Sequence, residues 1–186
     1  MRKLKLQMQM SIDGCVASLE GDPMVAETID PGLERVMYDE IVDTCDTILL
    51  GRKMADGFVK YWEQEAITGT GKAREFGMKA VRMQKIMFSR TIRHAESKSL
   101  KVENGPLADA VNALKRQSGK DLIVYGGVDF VSSLIEHALI DEFNLFVVPT
   151  AIGNGRRIFN ARTSLELSAS RAYPSGTLVN TYVMKQ

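Results

Sequence analysis

The chain has 186 residues, of which 24 are Lys or Arg and 23 are Asp or Glu, so its formal net charge is +1. Its hydrophobic fraction of 45% and charged fraction of 25% predict a single folded domain over residues 1–186, and the near-neutral charge argues against a nucleic-acid partner. No apolar run approaches the ~20 residues that cross a membrane, and two cysteines cannot build a disulfide framework, so we expect a cytoplasmic protein.

The first half of the chain alternates predicted strands and helices. Residues 3–10 alternate Lys or Gln with Leu or Met, which predicts a strand with one buried face. A loop rich in Gly, Asp and Pro leads to Asp30-Pro31, an N-cap followed by proline, which predicts a helix to about residue 45. The next predicted elements are a buried strand at 47–50, a helix carrying Met54 to Trp62, a loop at 66–72, a helix at 72–83 and a strand at 85–88.

The second half continues this alternation and then changes to strands. The predicted elements are an edge strand around Leu100, a helix over Leu107 to Leu114, a strand at 121–125, a helix at 128–139, a strand at 142–148 and a hairpin of strands at 164–172 and 177–185. This order predicts an α/β fold, a three-layer α-β-α sandwich around a mixed, mostly parallel sheet with a C-terminal antiparallel hairpin.

Three of the predicted strands end at short corners that contain glycine or small polar residues. The corners are Leu50-Gly51-Arg52, Phe88-Ser89-Arg90-Thr91 and Tyr125-Gly126-Gly127. Open α/β sheets bind ligands beyond the carboxyl ends of their strands, where glycine lets a phosphate approach the backbone and arginine can pair with phosphate oxygens. Each corner alone is more typical of an ordinary turn. Their joint occurrence predicts a long anionic ligand, for example a dinucleotide.

These segments resemble the dihydrofolate-reductase-like superfamily, and within it the RibD C-terminal domain family. The motifs that carry the resemblance are Ser11 to Ala17, Asp46 to Met54 with Tyr61-Trp62, Ser89 to Thr91, Val124 to Gly127, and Val148 to Thr150 with Gly153 to Gly155. The resemblance covers nearly the whole chain. It implies an NADPH-dependent oxidoreductase, commonly a homodimer, that transfers a hydride to a small pyrimidine- or pteridine-like heterocycle, similar to 5-amino-6-(5-phosphoribosylamino)uracil reductase of riboflavin biosynthesis.

The resemblance also implies which residues bind the cofactor. The Ala17 backbone would face the nicotinamide amide. A second group of residues would bind the cofactor phosphates at the start of a helix: Gly51, Arg52, Lys53 and Met54. A third group resembles the clasp on the adenosine 2′-phosphate, which favours NADPH over NADH: Ser89, Arg90 and Thr91. The pyrophosphate corner corresponds to Gly126, Gly127, Val128, Asp129 and Phe130.

The substrate side has fewer candidates, and three of them have a structural alternative. Asp13 is a candidate catalytic proton donor and substrate contact, and is equally typical of a turn residue that bonds its own backbone. Arg35 and Trp62 are candidate substrate contacts, with an exposed helix charge and packing beside Phe58 as the alternatives. Gly153 and Gly155 lie in the loop that the resemblance places near the substrate and the dimer contact.

Two differences from the sequences of related enzymes narrow the range of expected activities. Dihydrofolate reductases carry a pterin-binding carboxylate on the first helix, but the matching place here falls near Arg35, which argues against dihydrofolate. The H-x-E and P-C-x-x-C motifs of a zinc deaminase are absent from the sequence, and His94 and His137 have no neighbouring ligand, so we expect a lone reductase-like domain without a metal. The alternatives are a non-catalytic NADP-binding module, a dihydrofolate-reductase-type activity, and a flavin-binding or antibiotic-modifying relative.

Overall fold

The computed structural model describes residues 1–185, and within them the chain forms an eight-stranded sheet flanked by helices. The strands are β1 (Leu4–Ser11), β2 (Cys45–Gly51), β3 (Gln84–Phe88), β4 (Leu100–Glu103), β5 (Asp121–Val124), β6 (Glu142–Val148), β7 (Leu165–Ala172) and β8 (Leu178–Met184). The helices are α1 (Pro31–Arg35), α2 (Arg52–Thr68), α3 (Gly71–Arg82), α4 (Leu107–Arg116) and α5 (Val128–Glu136).

The sheet is mixed, with the strand order β4-β3-β2-β5-β1-β6-β8-β7. The first six strands in this order are parallel to one another, and β8 and β7 are antiparallel at one side. Because parallel strands point the same way, the last residues of β3, β2, β5, β1 and β6 all lie along one edge, which we name the carboxyl edge. The predicted parallel sheet with a C-terminal antiparallel hairpin is confirmed.

Two apolar clusters fill the space between the sheet and the helices, one on each face. On one face α4 and α5 contribute fully buried side chains such as Val111, Val131 and Leu134. On the other face α1, α2 and α3 contribute Leu33, Val59 and Phe76. The predicted three-layer sandwich is therefore confirmed. No helix within residues 1–185 is both long enough and apolar enough to cross a membrane.

Strand β1 is buried on both faces, so the prediction of one buried face is wrong. Lys5 is 9% exposed and Gln7 is 8% exposed, although both alternate with apolar residues in the sequence. The reason is that β1 lies between β5 and β6, with side chains of α4 and α5 against one face and the helical segment that contains Met37 against the other. Polar groups in such a place need partners. Lys5 Nζ lies 3.2 Å from a carboxylate oxygen of Asp121, and Gln7 Nε2 donates to the Met37 carbonyl at 3.1 Å.

The predicted helix from Pro31 to about residue 45 is three different helical segments. The predicted N-cap is present, because the Asp30 side chain accepts hydrogen bonds from the backbone at the start of α1. The chain then forms a π-helical turn over Val36–Glu40 and a 3₁₀ turn over Val42–Thr44. A π turn changes the backbone hydrogen-bond spacing, and here the Gln7 side chain bonds to a carbonyl within that turn.

The predicted loop at 66–72 is reduced to Gly69-Thr70, because α2 continues to Thr68 and α3 begins at Gly71. The two helices pack with their backbones close together. A Cβ at Gly77 of α3 would lie 2.8 Å from the Ala66 nitrogen of α2, so a side chain there would separate the helices. The helix predicted at 72–83 is confirmed as α3.

Helix α5 ends at Glu136, three residues before the predicted end at 139. Ala138 adopts the left-handed conformation with φ 51°, and the Leu139 N–H donates to the Leu134 carbonyl at 2.9 Å. This is the hydrogen bond of a Schellman ending, in which glycine usually takes the left-handed position. An alanine in that position gives no local signal that the helix stops.

Candidate functional site

The three predicted corners lie side by side at the carboxyl edge. Strands β3, β2 and β5 are consecutive neighbours in the sheet, and Gly51 at the end of β2 pairs in register with Phe88 at the end of β3. The corner after β5 follows directly beside them, since Leu49 of β2 pairs with Val124. The topology therefore brings together three segments that are far apart in the sequence.

The corners after β2 and β5 touch through their backbones. A Cβ at Gly51 would lie 2.7 Å from the Phe130 Cβ and 3.6 Å from the Gly127 nitrogen. At the other side of the contact, a Cβ at Gly126 would lie 3.1 Å from the Met54 sulfur. Glycine at these corners therefore allows the starts of α2 and α5 to approach each other closely.

Helices α2 and α5 both begin at this contact, after Gly51 and Gly127 respectively. Within residues 1–185, no side chain caps the first backbone N–H groups of either helix. Uncapped N–H groups and the positive end of the helix dipole favour an anion at such a position. A Cβ at Gly127 would meet no described atom within 4 Å, so the space beside this backbone is open.

A charged cluster lies across the two helix starts. The Lys53 Nζ of α2 lies 3.3 Å from the Asp129 Oδ2 of α5, and a guanidinium nitrogen of Arg156 lies 2.5 Å from Asp129 Oδ1. Partial burial acts to raise the pKa of Asp129, but the bonds to Lys53 and Arg156 outweigh it and lower that pKa. The resulting group carries two cations and one carboxylate, and is therefore positive overall.

The corner after β3 is held by the side chains of Ser89, within it, and of Asn104, which follows β4. The Ser89 hydroxyl accepts hydrogen bonds from the backbone N–H groups of Thr91 and Ile92, at 3.2 and 2.8 Å. Asn104 closes the loop by donating to the Ser89 and Ile92 carbonyls at 2.5 and 2.7 Å. Ser89 is thereby buried as a brace, and Arg90 is exposed beyond it. This arrangement leaves the Arg90 guanidinium accessible to a ligand.

The Asp13 side chain connects two segments, the end of β1 and the loop that comes after β6. Its carboxylate accepts a hydrogen bond from the Ser11 hydroxyl, from the Gly153 N–H at 2.7 Å and from the Ile152 N–H at 3.4 Å. The Ser11 bond is the largest of the effects on its pKa, which is lowered, whereas burial opposes the shift. Asp13 is therefore an ionised acceptor near neutral pH, and its role as a proton donor stays a prediction.

The segment after β1 also pairs directly with the glycine loop. The Arg156 N–H donates to the Ala17 carbonyl at 2.8 Å, and the Val16 N–H donates to the Arg156 carbonyl at 2.8 Å. A Cβ at Gly155 would lie 2.5 Å from the Ala17 oxygen, so only a residue without a side chain fits. Four predicted site residues are thus grouped at this side of the edge: Asp13, Ala17, Gly153 and Gly155.

Arg35 and Trp62 lie away from these groups. The Arg35 side chain is 66% exposed and pairs with Glu40 at 2.9 Å. Trp62 lies roughly 15 Å along α2 from its start and packs edge-on against Phe76, with ring centroids 4.4 Å apart. These positions agree with the alternatives of an exposed helix charge and of core packing, and substrate roles for both stay predictions.

Sequence reasoning did not include Arg156 and Asn104 among the site residues. Arg156 is the first of two arginines that follow the glycine loop, and this basic pair is the signal that could have indicated it. Asn104 precedes Gly105-Pro106, a combination typical of a helix start, so its bonds to the corner at Ser89 had no local signal.

The two cysteines lie at opposite ends of the sheet, Cys15 beside Gly155 in the segment after β1 and Cys45 at the first residue of β2. Cys15 and Cys45 are buried free thiols. Burial raises the pKa of Cys45 to about 11, so its thiol is protonated near neutral pH. Among residues 1–185, no three His, Cys, Asp or Glu side chains are arranged to hold a metal ion.

Residues 2–179 match the family model of the RibD C-terminal domain. The chain belongs to the RibD C-terminal domain family. Two relatives from Bacillus subtilis (strain 168) align over most of their length. The uncharacterized protein YyaP is 28% identical over 184 residues, covering 97% of this chain and 94% of the relative. The uncharacterized protein YwjB is 23% identical over 169 residues, covering 88% and 86%.

Solved structures show the same RibD fold at low sequence identity. A protein named for riboflavin biosynthesis from Shewanella sp. PV-4 superposes with a TM-score of 0.72, 17% identity and full coverage of both chains. Acinetobacter baumannii RibD, form 1, gives 0.72 and 15% identity. The deaminase/5-amino-6-(5-phosphoribosylamino)uracil reductase of Thermotoga maritima gives 0.69 and 12%. This RibD family chain spans 59% and 57% of those last two chains. The predicted fold and family are confirmed.

Proposed function

We propose that this chain is an NADPH-dependent reductase that transfers a hydride to a small heterocyclic substrate of pyrimidine or pteridine type. The observation that carries the proposal is the meeting of two uncapped helix starts and a braced arginine corner at one edge of the sheet. Membership of the RibD C-terminal domain family supports the choice of a reductase and of NADPH.

The residues present fit a phosphorylated dinucleotide. The starts of α2 and α5 offer free N–H groups beside the open backbone of Gly127, and Lys53 and Arg156 add positive charge there. We assign the pyrophosphate to this position and the adenosine 2′-phosphate to Arg90 and Thr91, on the neighbouring corner. When bound, NADPH supplies the hydride.

The loops beside this position would form the substrate side. Asp13 holds the glycine loop against the end of β1, and the Ala17 segment pairs with that loop through two backbone hydrogen bonds. Such bracing would hold these loops in a fixed position beside a bound substrate. Because the lowered pKa keeps Asp13 ionised near neutral pH, we assign it to positioning and assign the proton to solvent.

Calorimetric titration with NADPH and NADH tests the cofactor assignment. Arg90→Ala should weaken NADPH by about 1.5–3 kcal/mol, or roughly 10- to 150-fold, because a charge-assisted bond is lost, and should change NADH binding little. Arg116→Ala is the matched control, since Arg116 is exposed at the last residue of α4, away from the carboxyl edge. Equal affinity of the wild-type chain for both cofactors would refute the 2′-phosphate assignment.

Turnover is tested by the loss of NADPH absorbance with a panel of pyrimidines and pterins. Oxidation with one of them supports a reductase, whereas cofactor binding without oxidation across the panel favours the non-catalytic module. Dihydrofolate should be inactive, because the sequence position that corresponds to the pterin-binding carboxylate of dihydrofolate reductases falls near Arg35. The homodimer expected from the family is a further proposal, which sedimentation equilibrium of the purified chain tests.

A further inference from the structure

The Asp129 carboxylate lies where the proposed function places a phosphate group. It belongs to the first turn of α5 and bonds to Lys53 in the first turn of α2, at 3.3 Å. Its other oxygen lies 2.5 Å from the guanidinium of Arg156, which comes from the loop after β6. One carboxylate therefore holds the cations that two separate parts of the carboxyl edge contribute.

We infer that Asp129 is an internal competitor of the cofactor phosphates, which keeps Lys53 and Arg156 occupied until a more highly charged anion replaces it. This inference rests on the proposed function. A first-turn carboxylate and a bound phosphate are favoured by the same helix N-terminus, so the two compete for one electrostatic position. Asp129 would then determine which ligands bind at this position. A ligand with little negative charge could not displace the Asp129 carboxylate from Lys53 and Arg156.

The exposure of the cluster allows such an exchange. The Lys53 side chain is 72% exposed and the Asp129 side chain is 66% exposed, so their contact can break without opening the core. Exposed ion pairs stabilise a fold only slightly, so a pyrophosphate can replace the carboxylate at small cost. While Asp129 stays in place, it also repels an incoming phosphate.

The test removes the charge and keeps the shape of the side chain, through Asp129→Asn. We expect this variant to bind both NADPH and inorganic pyrophosphate about threefold to tenfold more tightly than the wild type in calorimetric titrations, because the competing ion pairs are lost. Glu136→Gln is the control, since Glu136 is exposed at the opposite end of α5 and its substitution changes the net charge equally. Its affinities should match those of the wild type.

The outcomes separate this inference from the proposed function. Weaker or unchanged binding of both probes by Asp129→Asn would overturn the inference, and tight NADPH binding by the wild type would still support the reductase. If the wild type binds pyrophosphate but not NADPH, and Asp129→Asn binds pyrophosphate more tightly, the competitor role stands and the cofactor assignment fails. Equal tightening by Glu136→Gln would show a general charge effect and would also overturn the inference.

Discussion

Gly51→Ala should disrupt the contact between the starts of α2 and α5. The backbone at Gly51 has φ −73° and ψ 146°, which alanine adopts without strain. The effect of the substitution therefore comes from the added methyl group alone. That group would lie 2.7 Å from the Phe130 Cβ and 3.3 Å from its Cγ.

The magnitude follows from this distance. Carbon atoms in contact normally lie ~3.5–4.0 Å apart, so the two corners must separate by about 1 Å. A Cβ cannot avoid the clash by rotation, and such overpacking typically lowers the free energy of unfolding by about 1–3 kcal/mol. In a domain of this size that corresponds to a fall in Tm of about 2–12 °C. Cofactor affinity should fall as well, because the two helix starts no longer align.

Urea unfolding followed by circular dichroism measures the change in stability. Gly57→Ala is the matched control, because Gly57 lies within α2 and a Cβ there meets no described atom within 4 Å. That variant should be more stable than the wild type by about 0.5–1 kcal/mol, since alanine favours helix. A Gly51→Ala protein with wild-type stability and wild-type NADPH affinity would refute the argument.

Two further variants test other parts of the structure. Because the Ser11 and loop hydrogen bonds lower the pKa of Asp13 from 3.8, they stabilise the folded state above that pH, and this contribution is lost as the pH falls through the lower folded value. Asp13→Asn should therefore be less stable than the wild type at pH 7, and thermal unfolding between pH 7 and 3 should show the difference shrinking below about pH 4. Ala138→Gly should raise the free energy of unfolding by about 0.5–1 kcal/mol, because glycine relieves the left-handed conformation. An unchanged urea midpoint would contradict this second expectation.

The corners of the candidate site were predictable because their signals are local. An apolar run followed by Gly51 or by Gly126-Gly127 indicates a buried strand that ends at a helix start. Once the strands are taken as parallel, their carboxyl ends must share an edge. The three corners could therefore be grouped without knowledge of any contact between them.

The parts that could not be predicted depend on distant residues. Arg156 reaches Asp129 across 27 residues of sequence, and Asn104 reaches Ser89 across 15. The second buried face of β1 has the same cause, because the alternation of Lys5 and Gln7 with apolar residues does not reveal that helices cover both sides. The π turn likewise depends on a distant residue, because one of its carbonyls accepts a hydrogen bond from Gln7 of β1. Local periodicity therefore predicted an unbroken helix instead.

The place of β5 in the sheet has a consequence for how the proposed anion site forms. Strand β5 lies between β2 and β1, although it follows both of them in the chain. Strands β1 and β2 are therefore joined in the sheet only through β5, and contacts over such sequence distances slow folding. Gly51 and Gly127 come together only once β5 is in place, so the proposed anion site is complete only then. A ligand bound there would consequently stabilise the complete fold.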